Sequence, residues 1–446
     1  MADSDTTHTD IPAAADTAAE DAPPTRRFLE VKAGEPEGRA LTLKAVPGLS
    51  TVPAHDAVRL PLLLEVRGRA LRLGAKRPAL NVALAIDRSA AMAGEPLDYA
   101  KRACAYVVDL LEPDDFLSIV AFEAEADIVL PARRVRDKAL VKDYIQRLTT
   151  GRPADLTEGL LAACRQAAAT KTPRTLSRVL LLTEGGAEMT GQAAERLLGQ
   201  VAEQKGRGLT ITTLGVGPAY SEGLLAAMAR SAGGSFYDVP RPERIPEAFR
   251  REMDSLTHTV AGGPRLRLSL ARGVTVRAAP GQSPVFSPRS AEIALVDVEG
   301  GAAIASFWEL ELTPRPPGTY RVAVAALLYD DARTGRQEKA AVDVVVEVAE
   351  GGAQAGPGLD PRVQTERDVA RAGQTLAETL DQLRGGRTDR AGALRVLSET
   401  KALMLDQGRL AQAQQMTQAM QEIEAGGAVE KTLTGTVTAL AQGRIR

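Results

Sequence analysis

Cysteine, histidine and aromatic residues are scarce in this chain. It has two cysteines and three histidines in 446 residues, and Phe, Trp and Tyr together make up 3%. The histidines are scattered at His8, His55 and His258, which argues against a zinc cluster or a histidine general base. Cys104 and Cys164 sit in helix-like apolar stretches, RACAYVVDLL and GLLAACRQAA, and neither has a histidine near it in sequence. That pattern fits buried, reduced thiols in a cytoplasmic protein, not a disulfide or a catalytic nucleophile. Few aromatics disfavour a base-stacking surface. A net charge of −2 and a pI of about 6.1 give no basic footprint for nucleic acid. Neither an N-terminal apolar segment nor an apolar run of about 18 residues occurs, so no signal peptide, membrane span or membrane partner is expected. The phosphate-cradling pattern GxxxxGK[ST] is missing. GVGPAYSEG (215–223) lacks the glycine order of a dinucleotide loop and reads as a tight turn opening a helix. Carboxylates are plentiful, yet no spacing singles out a glycosidase-like pair. The chain is therefore expected not to be an enzyme.

The length suggests roughly two or three domains. Residues 1–27 are acidic, rich in Ala, Thr and Pro, and aperiodic, which predicts a disordered tail. In 28–79, ALTLKAV and VRLPLLLEVRG read as strands between turn residues. From 80 to 257 apolar runs of strand length (LNVALAI, FLSIVAF, RVLLLTE, LTITTLGVG) alternate with segments of helical spacing. One such segment, LDYAKRACAYVVDLL, sets Leu97, Ala100, Cys104, Val107, Val108 and Leu111 on one stripe. Continuous apolar strands between helices predict an α/β domain with a buried, mostly parallel, doubly wound sheet. The period returns to two across 258–350, which predicts an antiparallel β-sandwich. With strands on both sides of the α/β domain, 28–79 and 258–350 are expected to form one sandwich into which that domain is inserted. Residues 351–359 read as a linker and 360–446 as a C-terminal α-helical domain. In that domain one helical face ends before LRGGRTD, a longer unit continues to Ile423, and a third helix is expected over 428–441.

In open α/β sheets ligands bind beyond the carboxyl ends of the strands. Three loops fall there: IDRSAAM, with Asp87, Ser89 and Ala91; TTGRPADLTEGL, which opens a helix; and LLTEGGAE, with Glu184. LNVALAIDRSAAM, GRPADLTEGLL, RVLLLTEGGAE and TLGVG, in that order and spacing, resemble a von Willebrand factor A (VWA) domain over about 80–256. The flanking strands resemble, by order alone, the layout of bacterial relatives of inter-alpha-trypsin inhibitor heavy chains. The resemblance implies a Rossmann-like fold and protein recognition. It also implies a Mg²⁺-dependent adhesion site built from an Asp-x-Ser-x-Ser loop, a Thr and a later Asp, with the partner supplying a last carboxylate.

Position by position, Asp87 and Ser89 match the first Asp and Ser, Ala91 stands for the second Ser, Ala154 for the Thr and Glu184 for the last Asp. Mg²⁺ demands hard oxygens at about 2.0–2.1 Å in near-octahedral array. Two positions here have no oxygen, and the extra methylene of Glu184 moves its carboxylate by ~1.5 Å. A metal remnant at Asp87, Ser89 and Glu184, without a tight cofactor, is therefore expected. Asp155, beside the lost Thr position, is the candidate substitute ligand. Asp87 and Ser89 alternatively cap the following turn, and Arg88, Arg152 or a shared proton would then offset the charges of Asp87 and Glu184. The expected partner-binding face comprises Arg88, Met92, Arg152, Asp155 and Glu188. The resemblance implies a protein partner, including AAA+ ATPases of the MoxR type. The alternatives are a Mg-dependent adhesion protein with a remodelled site, and a scaffold whose VWA face is inert.

Overall fold

The computed structural model describes residues 40–70, 77–185, 189–350, 359–426, 428–441 and 443–445. The tail expected over 1–27, residues 351–358 of the expected linker, and Glu188 lie outside them. The chain opens with β1 (Leu41–Pro47), β2 (Thr51–Pro53) and β3 (Val58–Gly68). Strands and helices then alternate: β4 (Ala79–Asp87), α1 (Glu95–Leu110), β5 (Phe116–Phe122), β6 (Ala126–Arg134), α2 (Lys138–Gln146), α3 (Leu156–Ala169), β7 (Thr175–Thr183), α4 (Gly191–Gly206), β8 (Thr210–Val216), α5 (Glu222–Ala232), β9 (Phe236–Val239) and α6 (Ile245–His258). A run of strands follows: β10 (Thr259–Leu270), β11 (Val274–Ala278), β12 (Val285–Ser287), β13 (Ser290–Ala294), β14 (Val298–Glu299), β15 (Ala303–Leu312), β16 (Gly318–Asp331) and β17 (Gln337–Ala349). The chain closes with α7 (Pro361–Arg384), α8 (Arg390–Asp406), α9 (Leu410–Glu424), α10 (Val429–Ala441) and β18 (Arg444–Ile445).

The central sheet has the order β6-β5-β4-β7-β8-β9, with only β6 antiparallel to its neighbour. Its apolar strands are buried on both sides. In β4, Leu80, Val82, Leu84 and Ile86 meet α1 and α6, while Ala83 and Ala85 meet α3. Alternate residues thus serve two cores, which is why the run shows no polar face. Cys104 lies in one core and Cys164 in the other, both free and buried.

The α/β domain is inserted in a sandwich of two sheets. β1 and β3 pair with β15 and β11 in one sheet, and β12-β13-β10-β16-β17-β2 form the other. Leu60, Leu62 and Leu64 of β3 share a core with Leu266 and Leu268 of β10 and Leu327 of β16. Leu63 faces the other way and is buried under Val363 of α7. This explains why PLLLE departs from strict alternation. The pairing is antiparallel except that β2 runs parallel to β17, since the short β1–β2 segment crosses from one sheet to the other.

The C-terminal helices close a core of their own around Leu376, Leu380, Leu397, Met416, Ile423 and Leu433. The single long unit expected between Leu394 and Ile423 is instead two helices, α8 and α9. Gly408 between them adopts φ = 68°, a left-handed conformation that ends a helix and that glycine adopts without strain. Leu405 and Leu410 flank this break and are exposed at 49% and 63%, so they do not continue the core stripe. β18, with no periodic signal in so short a segment, pairs with β15.

Candidate functional site

Asp87 ends β4 and is fully buried. Its Oδ1 accepts the Ser89 N–H at 2.8 Å, and its Oδ2 accepts the Thr183 hydroxyl at 2.7 Å. Thr183 Oγ1 in turn accepts the Gly185 N–H at 2.9 Å. One carboxylate therefore fixes both its own loop and the loop after β7. Ser89 is buried and N-caps the single turn Ala90–Met92, without a side-chain capping bond. Capping in this loop comes from Asp87.

Glu184 follows directly. Its Oε2 is buried and has no hydrogen-bond partner among the described residues. Its carboxyl group is held above the usual carboxylate range, first by burial and then by the negative charge of Asp87. Arg88 and Arg152 do not answer those charges. Both turn to Glu123, each at 3.7 Å, and Arg88 also reaches Asp127 at 3.8 Å. Glu123, which sequence reasoning missed, knits the rim together. Its Oε2 accepts the Arg152 N–H at 2.6 Å, its carbonyl accepts the Asp155 N–H at 2.7 Å, and the Arg88 carbonyl accepts the Gly151 N–H at 2.8 Å. A Cβ at Gly151 would fall 1.7 Å from Glu123 Oε2, so a larger residue here would displace that carboxylate from the loop. The available signal was positional. Glu123 is the residue after β5, as Glu184 is after β7.

One expected face residue and one expected ligand are corrected. Met92 is fully buried in the core with α1, because the turn at 90–92 directs its apolar side chain inward. Asp155 is no substitute ligand. It is the N-cap of α3, accepting the Glu158 N–H at 3.0 Å, which satisfies an otherwise orphaned helix donor. Arg88 is half-buried and Arg152 exposed.

The family's magnesium ion does not fit this donor set. Each oxygen of Asp87 already accepts an internal hydrogen bond, Ala91 carries no oxygen, and Ala154 packs its methyl against the core around α3. Among the described residues no group of three His, Cys, Asp or Glu gathers in a form that holds a metal. The thiols are also unsuited to chemistry at neutral pH, since burial pushes both up to about 12.

A doubly wound sheet with a loop face of this order defines a VWA-type recognition domain. A family model described as von Willebrand factor type A domain matches residues 81–251. An uncharacterized protein of Synechocystis sp. is 30% identical over 335 residues, spanning 72% of this chain and 78% of that protein. Two solved structures share the whole architecture. The von Willebrand factor type A protein from Catenulispora acidiphila has a TM-score of 0.70 at 17% identity, covering 91% of this chain and 97% of its own. The ArnB paralog VWA2 from Sulfolobus acidocaldarius has a TM-score of 0.62 at 14% identity, covering 90% and 98%. The chain belongs to the von Willebrand factor type A domain family.

Proposed function

We propose that the protein is a non-enzymatic recognition module, working inside the cell, that binds a protein partner through the strand-end loop face without a bridging metal ion. The observation that carries this reading is the double internal use of Asp87. A carboxylate engaged on both oxygens by Ser89 and Thr183 holds the loops in place, and with no oxygen at Ala91 or Ala154 those loops lack the ligand set a cation needs. In place of a metal, the rim offers fixed charges on Arg88, Glu123 and Arg152, suited to a partner of complementary charge. An AAA+ ATPase of the MoxR type is the partner class to try first. Buried reduced thiols support the intracellular setting, and no described helix is long and apolar enough to cross a membrane.

The test is affinity purification from the native cell in EDTA and in Mg²⁺, with the Arg152→Glu variant beside the natural chain. Equal capture of one partner in both buffers, lost in Arg152→Glu, is the expected result. Capture only with Mg²⁺ overturns the metal-free reading. Capture unchanged by Arg152→Glu moves recognition to the sandwich or the helices, where Val285 and Phe286 of edge strand β12 are exposed at 72% and 62%.

A further inference from the structure

The loop 217–221 joins β8 to α5 at the same end of the sheet as Asp87, since β8 runs parallel to β7 with Gly215 beside Thr183. Its backbone lies against Glu184. Gly217 adopts φ = 67°, and a Cβ there would fall 3.1 Å from Glu184 Oε1. Pro218 and Ala219, next in the chain, are exposed. Tyr220 is an anchor. It is 2% exposed, its hydroxyl donates to Asp238, and its ring lies where a Cβ on Gly215 would go.

This loop is gripped from the C-terminal helices. Lys431, in the first turn of α10, donates from Nζ to the Pro218 carbonyl at 2.6 Å and to the Tyr220 carbonyl at 3.3 Å. The same Nζ stands 3.8 Å from the centre of the Tyr220 ring. An ammonium has three donors, and two here go to backbone oxygens. Such bonds fix the path of a chain, and a charged donor makes them stronger than neutral ones.

α10 has little helix propensity of its own. Four threonines, two valines and Gly435 are among its 13 residues, all poor helix formers. Thr432, Thr434 and Thr436 bond back to carbonyls four residues earlier, and Thr438 Oγ1 is buried with no partner among the described residues. The helix is held by what it packs on: Leu433 in the core shared with α7, α8 and α9, and α5 and β9 on the other side. An element held in this way opens at lower cost than a core strand.

We propose that Lys431 is a positioning residue of the loop face, contributed by the C-terminal helices. With α10 docked, it holds loop 217–221 against Glu184; with α10 undocked, that loop is released. The inference rests on the strand-end loops being the recognition surface.

Amide hydrogen exchange of the full chain tests it with no partner present. Its failure is thereby separate from failure of the metal-free recognition reading, which the Mg²⁺ and Arg152→Glu captures decide. Lys431→Met removes the donors while keeping side-chain length and helix propensity. In that variant Gly217, Ala219 and Tyr220 are expected to exchange about tenfold faster, the effect of losing a charge-assisted hydrogen bond. Gly185, whose N–H rests on Thr183 and which Lys431 does not touch, is expected to accelerate several-fold. Lys431→Arg, with donors kept, holds the natural rates. Arg384→Gln, which removes the 3.6 Å ion pair between α7 and Glu222 of α5, leaves both loops unchanged. The amides of β7 check the fold in each variant. Natural rates at 217–220 in a folded Lys431→Met chain overturn the proposal. So does acceleration that stops at Tyr220 without reaching Gly185, or equal acceleration in Arg384→Gln, which marks a general loosening of the helices.

Discussion

The two ends of the central sheet both bury charge, and they treat it in opposite ways. Toward the strand beginnings, Arg178 of β7 binds Glu252 of α6 at 3.0 Å and Asp297 of the sandwich at 2.8 Å. Thr212 and Tyr237 complete Glu252, at 2.8 and 3.0 Å, and the Gly263 N–H completes Asp297, at 2.9 Å. Every carboxylate oxygen in this network has a donor, and the network spans the joint between the α/β domain and its host. At the strand ends, Asp87 is satisfied by neutral donors, and Glu184 beside it keeps an oxygen with none among the described residues. The first arrangement fixes one domain on another. The second leaves Glu184 Oε2 without a donor among the described residues, on the loop face proposed above for recognition.

Breaking the lower network has the largest expected effect. Arg178→Met strands two buried carboxylates, so a loss of about 3–5 kcal/mol is expected in denaturant unfolding. A loss under about 1 kcal/mol would remove the contrast between the two ends. Asp87→Ala, which orphans the Ser89 N–H and the Thr183 hydroxyl, is expected to cost about 1–3 kcal/mol. Asp87→Asn keeps an acceptor and should cost less than half as much in the same assay. The third effect is one of slope. The carboxyl of Glu184 is raised in the folded chain, so folding favours its protonated form. Its contribution is fully present below the ordinary carboxylate pKa and is lost as pH rises through the folded value. Stability measured against pH should therefore fall less steeply with rising pH in Glu184→Gln than in the natural chain, and identical slopes contradict a raised Glu184 carboxyl. The smallest effect belongs to Glu123→Gln. Its ion pairs are long and near the surface, so less than about 1 kcal/mol is expected, with faster amide exchange confined to the loops around Arg88 and Arg152.

The strands and helices of the α/β domain were legible because each apolar run must fill two cores at once, and the helices carry their stripes in sequence. The split sandwich was legible from order, with β strands before and after the insertion. What was illegible depended on partners far away in the chain. Arg178 sits inside an apolar strand with no local sign that Glu252 and Asp297 would meet it. Glu123 looked like one acid in the run FEAEAD, and its role depends on the backbone of Gly151 and Arg152. Met92 was misplaced because a single turn after a strand gives no periodicity to show which way its side chain goes. The break at Gly408 was obscured because apolar residues continue on both sides of it and a single glycine was the only local sign. Asp87, Ser89 and Glu184 could be located from the strand ends, but only the geometry shows that Asp87 has both oxygens occupied.

The most direct measurement is an isothermal titration of the full chain with Mg²⁺ and with Mn²⁺. A metal-free loop face predicts no saturable binding up to millimolar ion. A micromolar or tighter dissociation constant that disappears in Asp87→Ala would contradict it.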